Sequence, residues 1–112
     1  MFLWNYEDTS VCIGSIFKAY KNIKSYPDDV QERIGQICSN YLYNGHQRIR
    51  TLYTNQAITL LENLDETPHV ILYKLIGKYF ESYYKKDYTT MQIIKNSIKA
   101  CGYQTIIDKL PK

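Results

Sequence analysis

His46, Arg48 and Arg50 fall within five residues, and His69 follows closely on Asp65 and Glu66; these are the positions whose types and spacing come nearest to chemistry. A histidine with two arginines at a helix start would suit a phosphate. On a helix, however, Arg48 and Arg50 diverge by about 200°, so they do not grip one anion together. His69 with two carboxylates nearby has the parts of a general base, but it follows Pro68 at a helix start, where a solvated imidazole is the ordinary state. With only two histidines in the chain, zinc sites that need several imidazoles are not expected.

The cysteines and glycines add no reactive motif. Cys12, Cys38 and Cys101 are odd in number, widely spaced and without a C-x-x-C, so they read as small buried hydrophobes, each on or beside an apolar stripe, and as reduced thiols of a cytoplasmic protein. Glycines stand singly at 14, 35, 45, 77 and 102, which rules out phosphate-cradling loops such as G-x-x-x-x-G-K and G-x-G-x-x-G. Gly45 and Gly102 suit helix stops. Gly14, Gly35 and Gly77 fall within helical patterns, where glycine costs roughly 1 kcal/mol against alanine and close helix packing is the expected return. No catalytic, metal or cofactor site is expected, and the chain is expected not to be an enzyme.

The elements behind these residues are helices. Val30, Ile34, Ile37, Cys38 and Tyr41 form one stripe at helical spacing, and Ile49, Leu52, Tyr53, Ala57, Leu60, Leu61 and Leu64 form a second beyond Asn44-Gly45. This predicts two antiparallel helices and an all-α class. The full pattern predicts a bundle of five to six helices at about 8–25, 28–44, 46–63, 68–86, 90–101 and 103–110, in a single domain spanning 1–112. Pro27 and Pro68 sit where a first-turn proline belongs, and Thr67-Pro68 supplies the N-cap and N1 of the fourth helix. That helix is apolar around most of its girth through Val70, Ile71, Leu72, Tyr73, Leu75, Ile76, Tyr79, Phe80, Tyr83 and Tyr84, which places it centrally. Thr89 or Thr90 is expected to cap the fifth.

A length of 112 residues, with 45% hydrophobic and 22% charged, suits one ordered globular domain. No apolar run reaches the ~20 residues of a membrane span, and Glu7-Asp8 interrupts anything resembling a secretory leader. Charge is uneven: residues 1–66 carry a net −2 and residues 67–112 a net +5. Asp28, Asp29 and Glu32 at one helix start and Glu62, Asp65 and Glu66 at the next turn but one should share one end of an up-down bundle. The twelve tyrosines offer large amphipathic rings for core margins and contact surfaces.

Elimination therefore favours a non-catalytic protein-binding module of inhibitor or immunity type, which neutralises a partner such as a toxin nuclease by occluding its active site. The expected contacts are Glu62, Asp65, Glu66, Asp28, Asp29 and Glu32, with Tyr84 and Tyr88 as anchors. The alternative is a small nucleic-acid-binding or regulatory protein using Lys74, Lys78, Lys85, Lys86, Lys95 and Lys99 with interleaved tyrosines.

Overall fold

The computed structural model describes residues 6–45, 51–68 and 70–111. Among these residues six α-helices follow one another: α1 (Tyr6–Ala19), α2 (Asp28–Gly45), α3 (Leu52–Glu62), α4 (Ile71–Lys85), α5 (Tyr88–Ala100) and α6 (Gln104–Lys109), with a 3-10 turn at Ile23–Ser25 between the first two. No strand occurs among the described residues. The chain is an all-α bundle with a radius of gyration of 13.3 Å.

Helix α4 sits at the centre, packed against α2, α3 and α5. Ile76, Tyr79 and Phe80 are fully buried, while Ile71, Lys78 and Lys85 form its exposed strip. The core gathers Ile13 from α1, Ile34, Cys38, Tyr41 and Leu42 from α2, Ala57, Ile58, Leu60 and Leu61 from α3, and Met91, Ile94 and Ile98 from α5. Glycine at helical positions makes the packing close. A Cβ on Gly77 would lie 2.6 Å from the Leu61 Cβ, and one on Gly35 would lie 2.7 Å from the Tyr73 ring. Tyr53 covers Gly14 in the same way, at 2.9 Å.

Several boundaries differ from those read from periodicity. α1 ends at Ala19, and the 3-10 turn then carries Ile23 into the core at 1% exposure while Lys21 and Lys24 stay in solvent. α3 begins at Leu52, because Thr51 is extended and forms a capping box with Thr54, each residue's side chain accepting from the other's backbone N–H. Leu52 consequently lies on the open first turn, 66% exposed, rather than on the buried stripe. His46, Arg48, Ile49, Arg50 and His69 lie outside the described residues.

Thr67-Pro68 does not cap α4. The Thr67 carbonyl accepts from both Val70 and Ile71 N–H in a turn, Val70 is the N-cap, and the Thr67 hydroxyl is buried without a partner. Val70 lies in the core from this position, at 0% exposure. Asp87, not Thr89 or Thr90, caps α5: its carboxylate accepts from Thr90 N–H at 3.2 Å and from the Thr90 hydroxyl at 2.6 Å. Those two bonds hold the Asp87 carboxyl below its ordinary value.

Between α4 and α5 the chain closes as a Schellman turn. Asp87 N–H donates to the Ser82 carbonyl and Lys86 N–H to that of Tyr83, which requires Lys86 at φ 59. A side chain there carries the cost of the left-handed region, roughly 1–2 kcal/mol. Lys86→Gly should therefore raise the unfolding free energy by about 1 kcal/mol, read as a higher urea midpoint at unchanged slope.

Candidate functional site

The acidic groups are drawn together by one buried amide. Gln31, 1% exposed on the first turns of α2, donates through Nε2 to the Tyr26 carbonyl at 2.8 Å and accepts through Oε1 from the Asp65 N–H at 2.9 Å. The start of α2, with Asp28, Asp29 and Glu32, is thereby joined to the segment carrying Asp65 and Glu66 just beyond α3, with Glu62 on its last turn. The two groups share one end of the bundle. Sequence reasoning overlooked Gln31, although a polar residue on the stripe of Ile34 and Cys38 was the available signal.

That end is not purely acidic. Lys74, buried at 8% exposure on α4, pairs with the Glu66 carboxylate at 3.1 Å. The hydrogen bond and charge of Lys74, with smaller contributions from Lys24 and Lys78, hold the Glu66 carboxyl below its ordinary value. Asp65 turns its carboxylate to the Glu66 N–H at 3.1 Å. Glu66 is engaged by a lysine, and at the start of α2 Asp29 is exposed while Asp28 and Glu32 are half-buried.

Tyr84 and Tyr88 do not join the carboxylates. α4 rises about 1.5 Å per residue over its 15 residues, which sets its C-terminus and the start of α5 about 20 Å from the Glu66 segment. Tyr88 is 66% exposed there, and Tyr84 packs edge-on against Tyr83 at 5.2 Å between ring centroids. Carboxylates and tyrosines thus occupy opposite ends of the bundle.

The lysine surface is dispersed. Lys74 is withdrawn into its pair with Glu66, Lys85 bonds Glu81 at 3.1 Å one turn earlier, and Lys95 lies over the Tyr79 ring at 5.9 Å. Lys78, Lys86 and Lys99 are exposed. Three of the six lysines already have a partner within the chain, which leaves a weak track for a phosphate backbone.

Among the thiols only Cys38 fits the buried reading: it is 0% exposed and its pKa is pushed up to about 12 by burial. Cys12 is half-buried, and Cys101 is exposed because it is the C-cap of α5, where the chain turns off the helix at Gly102 with φ 86. Among the described residues, no three His, Cys, Asp or Glu side chains are grouped to hold a metal ion, and no helix is long and apolar enough to cross a membrane.

Two concavities remain near the acidic end. One, of about 520 Å³, lies between α1 and α2 over Ile16, Ile34 and Ile37, with Asp29 and Arg33 at its edge. The other, of about 470 Å³, is lined by Lys21, Lys24 and Asn63. The latter faces the C-terminal ends of α1 and α3, whose dipoles account for its lysines. The chain matches no protein-family model, no curated protein and no solved structure.

Proposed function

We propose that this chain is a non-catalytic protein-binding module of inhibitor or immunity type, which neutralises a partner by covering its active site with the acidic end of the bundle. One observation carries the reading: the two hydrogen bonds of Gln31, which gather carboxylates from α2 and from the α3–α4 segment onto a single surface. Asp29 is exposed beside the apolar concavity of α1 and α2, so charge and apolar area adjoin there. A basic cleft, such as that of a nuclease, is the complementary surface. Cytoplasmic action on such a partner belongs to the same proposal.

Charge reversal tests it. The wild-type chain, used as bait in extract of its own host, should capture a basic protein identifiable by mass spectrometry. By calorimetry that protein should bind Asp28→Lys/Asp29→Lys/Glu32→Lys more weakly by about 2–5 kcal/mol, while the variant's circular dichroism stays helical. Unchanged affinity removes the acidic end from the mechanism. A salt-dependent shift of labelled DNA or RNA by the wild-type chain would instead favour the lysine surface.

A further inference from the structure

The chain beyond α5 is held at its far end. Cys101, Gly102 and Tyr103 are all exposed, and Gly102 takes φ 86 with nothing within 4 Å of the place a Cβ would fill. The turn into α6 is therefore an open pivot, free of side-chain obstruction. α6 packs chiefly against α5, its neighbour in sequence, and buries no residue fully; Ile106 and Ile107 are half-buried. The anchored residues come after it. Leu110 is 6% exposed, Pro111 is buried, the Tyr79 hydroxyl donates to the Pro111 carbonyl, and the Lys109 ammonium lies over the Tyr43 ring at 5.6 Å. A six-residue helix has no stability of its own, so this terminal latch keeps it in place.

We propose that residues 102–111 form a strap that opens as one unit, pivoting at Gly102 and releasing at Leu110 and Pro111, while α1 to α5 stay folded. The strap's bonds run in series. Ile106 and Ile107 N–H both donate to the Tyr103 carbonyl, and Leu110 N–H donates to that of Ile107. Once Leu110 leaves the core, no buried residue holds the rest down. By contrast α4 packs against α2, α3 and α5 and opens only with them.

Release uncovers aromatic surface. With the strap closed, Tyr79 is 0% exposed and Tyr43 is half-buried, its ring centroid 6.1 Å from that of Phe80. The strap covers the hydroxyl end of Tyr79 and one side of Tyr43, so its equilibrium sets how much of this surface the bundle shows. Tyr43 stands near the far end of the 18-residue α2 from Asp28, about 20 Å along the helix. The device is thus separate from the acidic end.

Native-state hydrogen exchange of the full chain, followed by NMR in urea below the unfolding transition, tests the strap. Ile106, Ile107 and Leu110 N–H should share one opening constant, about a hundredfold or more above that of Phe80, with a urea dependence well below that of global unfolding. Tyr79→Phe removes the hydroxyl and keeps the ring, and should speed all three amides by one common factor of about ten. Leu110→Ala should speed them by about thirtyfold or more, with circular dichroism still helical. Exchange of the three amides only together with Phe80, at full urea dependence, would overturn the strap, and this wild-type result stands whatever the variants do. Acceleration confined to Leu110 in Tyr79→Phe would overturn it as well, because residue-by-residue fraying behaves that way. Asp28→Lys/Asp29→Lys/Glu32→Lys should leave the strap's urea dependence unchanged, so failure of this inference and failure of the acidic-end proposal are read separately.

Discussion

Gln31→Leu should lower the unfolding free energy by about 1–3 kcal/mol, a large effect for a near-isosteric change in a chain of this size. The substitution keeps the volume and the apolar contacts of the side chain. It removes an acceptor from the Asp65 N–H and a donor from the Tyr26 carbonyl, both beneath the same end of the bundle. Both groups are part-buried, so each lost partner costs about 1 kcal/mol or somewhat more, and the apolar surface of leucine recovers only part. Urea unfolding followed by circular dichroism would measure the loss. The same variant reports on function: with the clip gone, the α3–α4 segment is no longer tied to α2, and hydrogen exchange at Asp65 and Glu66 should accelerate before the core opens. A loss under 0.5 kcal/mol would mean that this amide does not join the two segments in solution.

Gly77→Ala should cost about 1–3 kcal/mol, although alanine is the better helix former by about 1 kcal/mol. The added methyl would lie 2.6 Å from the Leu61 Cβ, with α3 backbone atoms at 3.5 Å behind it. A Cβ cannot rotate away, so the two helices must part, and α4 lies against three neighbours. Gly14→Ala is the internal comparison: its closest atom belongs to a tyrosine ring at 37% exposure, which can swing outward, and the change should be near neutral. Thermal unfolding of the pair would separate backbone crowding from intrinsic helix preference. Equal midpoints for the two variants would show that α3 and α4 are farther apart than described.

The C-terminal segment shows how packing supplements periodicity. α6 has no buried residue of its own, yet Leu110 is buried, the Tyr79 hydroxyl donates to the Pro111 carbonyl, and Lys109 lies over the Tyr43 ring at 5.6 Å. Burial, with a smaller contribution from Tyr73, pushes the Tyr43 hydroxyl up to about 12. A six-residue helix is too short to stand alone. α5 packs against it, and the contacts of Lys109 with α2 and of Pro111 with α4 hold its far end.

By itself the sequence determined the all-α class, the central position of the fourth helix and the need for glycine where helices approach. Each follows from a period of 3.6 residues or from the absence of a side chain, which are local properties. The juxtaposition of Asp28, Asp29 and Glu32 with Asp65 and Glu66 was legible from antiparallel geometry, because a helical hairpin returns its ends to the same level. Tertiary structure alone decided which charges were spent internally: Lys74 on Glu66, Lys85 on Glu81, Lys95 on an aromatic ring. It also decided that Tyr84 and Tyr88 stand a helix length from the carboxylates, that Thr67 turns instead of capping, and that Ile93 faces water. Burial and pairing depend on which helices become neighbours, and that is a property of the assembled bundle rather than of any one segment.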